Sequence, residues 1–263
     1  MPIEPAVAAV IPARWASSRF PGKPLAGILG KPMIQCVVEQ ARKAETIREV
    51  IVATDDRRIF DAVKGFGGDA MMTSPDHASG TDRVAEASQS LFCEIVVNVQ
   101  GDEPMIPPEN IDLAAQALFK GVDFQVASLM IPISDPDDLF DPNITKVAVN
   151  RDGLALYFSR APIPYDREQW PTFLNGPPEG ILLDPQRRKW FKHIGLYAYK
   201  KSFLHEITRL PVSPLEQMEK LEQLRILENG FSIKMVETNK NSIGVDCPED
   251  LTALENSLKK GPE

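Results

Sequence analysis

Short apolar segments and amphipathic segments alternate through the first half of this chain, and that order constrains its fold more than any other feature. The apolar segments predict strands at 6–11, 50–53, 70–73 and 95–99. The segments between and after them predict helices at 32–44, 57–66, 81–91 and 108–119, with Ser79 or Thr81 as the cap of the third. Such an order is typical of a mostly parallel sheet with helices on both faces.

The second half of the chain is less regular. Apolar segments predict strands at 126–133, 146–150, 154–159, 192–200 and 233–236. The clearest helical pattern covers 213–230, with Ser213 and Glu216 as a capping box and Gly230 at its end, and a terminal helix is predicted at 248–258. The stretch 162–190 is rich in Pro, Gly and charge, which is typical of a loop or an inserted arm. We therefore expect one domain over residues 1–263, with an inserted arm at about 134–200.

The charge balance and the cysteines limit the class of protein. The 263 residues include 29 Lys and Arg against 37 Asp and Glu, a net charge of −8, whereas a nucleic-acid binder normally presents a basic surface. Three scattered cysteines without metal-ligand spacing indicate reduced thiols. The apolar segment at 6–12 is too short to span a membrane, and Glu4 precedes it where a signal peptide would be basic. We expect a cytoplasmic protein that binds neither nucleic acid nor membrane.

The first predicted strand ends in a basic loop. Arg14, Arg19 and Lys23 supply three cations within ten residues, and Gly22 lets the backbone approach a ligand closely. Ligands of open α/β sheets bind at the carboxyl edge of the strands, so these cations and the loop N–H groups suit a triphosphate. Neither the dinucleotide-binding glycine motif nor the P-loop motif is present. A solvated basic loop explains the same residues, and both interpretations stay open at this point.

Two carboxylates follow extended segments elsewhere in the chain. Asp102 comes directly after the predicted strand 95–99, and Asp246 lies between an extended segment and the terminal helix. If both reach the same sheet edge, they form a site for Mg²⁺, which prefers one or two carboxylates together with phosphate oxygens and water. The alternatives are an ordinary helix N-cap for Asp246 and a turn residue for Asp102.

Seven segments together resemble the 3-deoxy-D-manno-octulosonate (Kdo) cytidylyltransferases of lipopolysaccharide synthesis. They span nearly the whole chain: 11–25 (IPARWASSRFPGKPL), 77–83 (HASGTDR), 98–107 (NVQGDEPMIP), 155–164 (ALYFSRAPIP), 193–197 (HIGLY), 213–216 with 221–225 (SPLE, LEQLR) and 244–250 (GVDCPED). The resemblance implies an α/β, nucleotide-diphospho-sugar transferase-like (Rossmann-like) fold, with a smaller inserted dimerisation and substrate subregion. It also implies CTP and Kdo as substrates, Mg²⁺ as cofactor and a homodimer.

The resemblance also assigns roles to individual residues. It implies catalytic roles for Arg14, Lys23, Asp102 and Asp246, with Mg²⁺ on the two aspartates. It implies that CTP lies against Ala13, Arg14, Lys23, Ser79, Gly80, Arg83 and Gln100. It implies that the acidic sugar is surrounded by Gln100, Arg160, His193, Tyr197, Glu222 and Gln223.

The residues themselves support part of the sugar site. Strand alternation puts His193 and Tyr197 on one face, although a buried core histidine is an equal alternative. On the predicted helix 213–230, Glu222 falls on an apolar stripe, where a carboxylate is costly unless it is paired. Glu222 is therefore either half of an ion pair with Arg225 or an acceptor for a substrate hydroxyl, and the second is favoured. Gln223 points off that stripe.

Other functions remain possible on sequence grounds. The first motif also fits a CMP-sialic acid synthetase, and an amino-substituted Kdo is another possible sugar. A non-catalytic nucleotide-binding protein on the same fold is a further alternative. The stretch 170–189 is long for the loop before the His193 strand and has the potential to alter a substrate lid or a dimer contact.

Overall fold

The computed structural model describes residues 5–16, 20–119, 124–167 and 189–260. In chain order its strands are β1 (Val7–Ala13), β2 (Gly27–Ile28), β3 (Lys31–Pro32), β4 (Ile47–Thr54), β5 (Asp69–Met72), β6 (Ile95–Asn98), β7 (Val126–Pro132), β8 (Lys146–Val149), β9 (Ala155–Ser159), β10 (Phe191–Lys200) and β11 (Ile233–Glu237). Its helices are α1 (Met33–Ala41), α2 (Arg57–Gly65), α3 (Gly80–Ser88), α4 (Pro108–Phe119), α5 (Pro136–Phe140), α6 (Lys201–Ile207), α7 (Pro214–Glu219), α8 (Leu224–Glu228) and α9 (Pro248–Lys260).

A single large sheet organises the described part of the chain. Its main strand order is β11-β7-β10-β6-β1-β4-β5, with β8 and β9 attached at the side of β10, and β2 and β3 form a separate small hairpin. The pairs β1–β4, β1–β6, β4–β5 and β7–β11 are parallel. Strand β10 runs antiparallel to both of its neighbours in the main path, β6 and β7. The mostly parallel sheet predicted from the alternation is therefore confirmed.

Helices cover both faces of this sheet. Alternate residues of β1 point to opposite faces, so they are buried in two different core clusters. One set joins a core cluster that includes α1 and α4, and its members are Val7, Ala9, Ile11 and Ala13. The other set, Ala8 and Val10, joins a cluster that includes α3 and α6. Strand β1 is thus buried from both sides, and its carboxyl end is held rigidly where the basic loop begins.

The single helix predicted over 213–230 is wrong. The chain forms the two short helices α7 and α8, and Lys220 between them has a left-handed backbone with a φ of 55°. The Arg225 guanidinium pairs with Glu216 at 2.6 Å, which holds α8 against α7. The turn buries Leu221 and Leu224 in the core on the α3 side of the sheet. The helical pattern continued across the turn because apolar residues recur at helical spacing from Leu215 to Ile226 in the sequence, although α7 itself has no fully buried residue.

The inserted arm also needs a correction. The expected span of about 134–200 includes β10, which lies in the interior of the sheet between β6 and β7. The arm must therefore end before Phe191, because β10 is part of the central scaffold. The single-domain assignment stays a prediction. The long stretch at 170–189 lies outside the described residues, apart from Lys189.

Two further expectations concern membranes and thiols. In the described ranges, every helix is too short or too polar to cross a lipid bilayer. Cys36, Cys93 and Cys247 are free, in line with the predicted reduced thiols. Burial raises the pKa of the Cys36 and Cys93 thiols, so both favour the protonated form.

Candidate active site

The carboxyl ends of β1 and β6 meet closely because of a glycine. A Cβ atom added to Gly101 would lie 2.7 Å from the Pro12 carbonyl oxygen, so a side chain there would push the two loops apart. The basic loop after β1 also depends on a glycine. Gly22 has a φ of 72°, and a Cβ atom there would lie 2.9 Å from the Trp15 indole ring. These contacts place Arg14, Lys23 and Asp102 at one edge of the sheet.

Lys23 joins the two predicted carboxylates. Its ammonium nitrogen lies 2.6 Å from an Asp102 oxygen and 3.4 Å from an Asp246 oxygen. It also donates to the Val245 carbonyl at 2.9 Å. Asp250, not Asp246, accepts the backbone N–H groups that precede α9, at 2.8 and 3.0 Å. Their contacts with Lys23 therefore bring Asp102 and Asp246 together in one site, as the metal-site prediction requires.

A buried amide holds the segment that carries Asp246. Asn110 on α4 is fully buried, accepts from the Thr238 hydroxyl at 2.7 Å and donates to the Lys240 carbonyl at 2.9 Å. The Ser242 hydroxyl donates to Glu103, whose pKa burial raises to about 7. The segment is also tied to Asp102 itself, because the Val245 N–H donates to the Asp102 carbonyl at 2.9 Å. These bonds fix the distance between the two carboxylates.

A cleft of about 300 Å³ opens above this cluster. Every residue predicted to contact CTP or Mg²⁺ lines it, namely Ala13, Arg14, Lys23, Ser79, Gly80, Arg83, Gln100, Asp102 and Asp246. Sequence reasoning did not assign a ligand contact to five other lining residues, which are Pro12, Pro24, His77, Ala78 and Gly101. His77 lies inside the quoted 77–83 motif, which was the signal for it. Arg19 lies outside the described residues.

The amino end of α3 forms one wall of this cleft. Ser79 caps the helix, as one of the two predicted alternatives, and accepts from the Asp82 N–H at 3.2 Å while Asp82 accepts from the Ser79 N–H at 3.0 Å. Arg83 is 4% exposed and donates to Asp55 at 2.9 Å. Its guanidinium thus fixes the loop after β4 as well as lining the cleft. His77 bonds to Glu86 and is held at the same wall.

A smaller cavity of about 100 Å³ adjoins the cleft through Gln100, which lines both. Tyr197, Glu222 and Gln223 from the predicted sugar site line this cavity. Gln223 is 8% exposed and lines this cavity, although the predicted continuous helix placed it off the apolar stripe.

Glu222 does not form the bidentate ion pair with Arg225, because Arg225 makes that pair with Glu216. Glu222 instead accepts from the Ser79 and Thr81 hydroxyls, each at 3.1 Å. Burial raises the pKa of the Glu222 carboxyl, while these two hydrogen bonds act in the opposite direction. Glu222 therefore links the larger cleft to the smaller cavity.

His193 and Arg160, the other two predicted sugar residues, are not among the residues that line these two cavities in the described structure. The His193 ring lies behind Tyr197, with the ring centres 5.2 Å apart, and its Nε2 is 2.9 Å from the Ser128 hydroxyl. Arg160 donates to the carbonyls of Glu219 at 2.7 Å and Pro142 at 2.9 Å. Their sugar-binding roles stay predictions, and the geometry gives both a structural task.

His193→Gln is expected to gain stability relative to the wild type as the pH falls. Burial lowers the pKa of His193 to about 3, against about 6.5 in an unfolded chain. Between these values the unfolded state binds more protons, so the wild type loses stability below pH 6.5, whereas a glutamine does not titrate. We expect the difference in free energy of unfolding to shift toward the variant by about 1–2 kcal/mol between pH 7.5 and pH 5, measured by urea unfolding. A difference independent of pH would contradict a neutral buried imidazole.

Comparison with known proteins agrees with this geometry. Residues 8–238 match the family model described as cytidylyltransferase. A 3-deoxy-manno-octulosonate cytidylyltransferase of Syntrophotalea carbinolica is 51% identical over 96% of this chain and 98% of that protein. The chain belongs to the 3-deoxy-manno-octulosonate cytidylyltransferase family. Another such family member, from Geobacter metallireducens, is 48% identical over 97% of this chain and 98% of that protein.

Solved structures of cytidylyltransferases support the same family and fold. A CMP:2-keto-3-deoxy-manno-octonic acid synthetase complexed with CTP superposes with a TM-score of 0.87, is 40% identical and covers 98% of this chain and 100% of its own. A 4-diphosphocytidyl-2C-methyl-D-erythritol synthase from Anaerococcus prevotii has a TM-score of 0.60 at 14% identity and covers 97% of this chain and 98% of its own, which shows a shared fold alone. The family and the fold class predicted from the motifs are both confirmed.

The donor set at Lys23 fits a magnesium ion in this cytidylyltransferase. Two carboxylates already converge on one cationic nitrogen, which marks a position where positive charge is favoured. Among the described residues, no group of three or more His, Cys, Asp or Glu side chains forms a metal site. Protein ligands for Mg²⁺ would be Asp102 and Asp246, and phosphate oxygens and water would have to complete the coordination, as this ion prefers.

Proposed function

We propose that this chain transfers CMP from CTP to 3-deoxy-D-manno-octulosonate, giving CMP-Kdo and pyrophosphate for lipopolysaccharide biosynthesis. The observation that carries the proposal is the cluster of Lys23, Asp102 and Asp246 in a cleft on the family's fold. Family members of known name, about half identical in sequence over nearly the whole chain, support the choice of nucleotide and sugar. A cytoplasmic location and a homodimer belong to the same proposal and rest on the resemblance.

The reaction is an in-line substitution at phosphorus. The anomeric hydroxyl oxygen of the sugar forms a bond to the α-phosphorus of CTP, the bond from that phosphorus to the bridging oxygen of the β-phosphate breaks, and pyrophosphate leaves with the electron pair. The hydroxyl proton passes to solvent. Enzymes catalyse such steps mainly through positioning and charge stabilisation. The described cleft offers both without a dedicated protein base.

The charged side chains divide the work between the phosphates. Arg14 is exposed at the cleft and available for phosphate oxygens, and Lys23 lies at the boundary between the phosphates and the two carboxylates. Both cations stabilise the negative charge that develops on the leaving pyrophosphate in the transition state. Mg²⁺ held by Asp102 and Asp246 would add charge neutralisation at the α-phosphate.

The other end of the cleft suits the nucleoside and the sugar. Ser79 and Gly80 present the start of α3, where backbone N–H groups favour polar acceptors such as base or ribose oxygens. Gln100 stands between the cleft and the smaller cavity and donates to the Gly195 carbonyl at 3.2 Å. That bond fixes the amide beside the point where the sugar must meet the α-phosphate.

A pyrophosphate-release assay tests the proposal directly. The wild type is expected to release pyrophosphate with CTP and Kdo in the presence of Mg²⁺. The rate should fall by at least about tenfold with ATP, GTP or UTP, because contacts to the base discriminate in the transition state. Parallel reactions with sialic acid and with an amino-substituted Kdo identify the sugar. Faster release with either of these would reassign the substrate, and CTP binding without release from any sugar would favour a non-catalytic nucleotide-binding protein.

A further inference from the structure

Asn98 is a polar side chain in an otherwise apolar strand. It ends β6 in the middle of the sheet, pairs with Val10 of β1 and Tyr197 of β10, and is 3% exposed. Its amide oxygen is buried and has no hydrogen-bond partner among the described residues. An unpartnered buried amide destabilises a fold by about 1–3 kcal/mol. Such a group calls for an explanation outside the fold itself.

The surroundings of Asn98 indicate a ligand. Asn98 lines the cavity of about 100 Å³, where the Tyr197 hydroxyl is also buried without a partner in the described chain. Burial raises the pKa of Tyr197 well above its usual range, so the hydroxyl keeps its proton and can donate it. The other polar residues of the wall include Thr81, Gln100, Thr208, Glu222, Gln223 and Arg225. The cavity is large enough for one or two hydroxyl-bearing carbons, since a water molecule takes about 30 Å³.

The chemistry of the two atoms selects the ligand group. A carbonyl oxygen such as that of Asn98 only accepts hydrogen bonds, whereas a tyrosine hydroxyl both donates and accepts. A sugar hydroxyl can donate to Asn98 and accept from Tyr197 at once. A deoxy position would leave both protein atoms unpaired, and a site built to bond a hydroxyl discriminates strongly against an analogue that lacks it.

We propose that Asn98 is a specificity-determining residue whose amide oxygen accepts a hydrogen bond from a hydroxyl of the polyhydroxylated acidic sugar. The inference rests on the proposed function, because the cavity adjoins the cleft through Gln100. It assigns the hydroxyl-bearing part of the sugar to the cavity, while the anomeric end faces the cleft. Leaving the Asn98 amide oxygen unpaired then lowers the stability of the free protein, and the bound sugar hydroxyl satisfies that oxygen.

The test compares two buried asparagines with opposite hydrogen bonding. Asn98→Leu keeps the approximate shape and removes an unpartnered amide oxygen, so the melting temperature is expected to stay level or rise by about 2–4 °C. The KM for Kdo should rise on the order of 10²-fold with the KM for CTP unchanged. Asn110→Leu is the matched control. Both amide atoms of Asn110 are bonded, so this change should lower the melting temperature.

Each other outcome overturns a defined claim. An unchanged KM for Kdo in a folded Asn98→Leu variant would overturn the inference, because the amide would then contact only water. A fall in melting temperature in both Asn98→Leu and the smaller Asn98→Ala would overturn it too, since the amide would be stabilising the fold. Failure of the wild type to release pyrophosphate with any acidic sugar would overturn the proposed function instead, and the stability of Asn98→Leu would still be measured.

Discussion

Replacing Asp102 by asparagine is expected to lower kcat for pyrophosphate release on the order of 10³-fold while the protein folds normally. Asparagine keeps the size of the side chain but removes one of the two negative charges that converge at Lys23. A magnesium ion would then face a single carboxylate. The stability effect should be small, within about 3 °C of the wild-type melting temperature, because the Asp102 side chain is 33% exposed and partly solvated.

The measurement is steady-state pyrophosphate release over a range of Mg²⁺ concentrations. Asp61→Asn is the matched control, since Asp61 forms an exposed ion pair with Arg57 on α2, away from the cleft. Asp246→Asn and the double variant extend the test. If the two carboxylates act as one unit, the double variant should lose little more activity than either single one. Near-normal turnover by Asp102→Asn at low Mg²⁺ would rule out the metal role of that side chain.

Replacing Lys23 by methionine is expected to lower kcat/KM for CTP on the order of 10²–10³-fold. Methionine keeps an unbranched side chain but loses the charge that meets the phosphates. The same change leaves Asp102 and Asp246 without their shared ammonium. In the absence of nucleotide, Mg²⁺ should therefore stabilise Lys23→Met more than it stabilises the wild type, because binding to the native state raises stability.

These two readouts separate a phosphate role from a structural one. Lys31→Met is the control, because Lys31 forms an exposed ion pair with Glu39 on the outside of α1. It should keep wild-type kinetics and the wild-type response to Mg²⁺. A Lys23→Met variant that binds CTP normally, or that responds to Mg²⁺ no better than the wild type, would show that the ammonium does not occupy a cation position between the carboxylates.

Local sequence rules predicted much of the scaffold. The strand–helix alternation in the first half placed β1, β4, β5 and β6 in a parallel arrangement, because buried strands and amphipathic helices have different apolar periods. Ser79 was one of two predicted caps of α3, and the structure selects it. The residues predicted at the sheet edge do line one cleft, since parallel strands deliver their carboxyl ends to the same side.

Sequence rules failed where distant contacts decide the backbone. The break at Lys220 follows from the pairing of Glu216 with Arg225, which a periodic pattern does not register. Strand β10 was placed within the predicted inserted arm, although its antiparallel pairing with β6 and β7 makes it central. Glu222 was predicted to lie on a helix stripe, but it lies in the turn, bonded to Ser79 and Thr81.

The sequence by itself determined the family, the mostly parallel sheet and the charged residues at its edge, because these depend on local patterns and on motifs of fixed spacing. Only the tertiary structure decided which groups meet. It brought Lys23 to within 2.6 Å of Asp102, 79 positions away in the chain, and left the Asn98 amide oxygen buried without a partner among the described residues. Such contacts depend on the packing of strands and loops far apart in sequence, which no local pattern encodes.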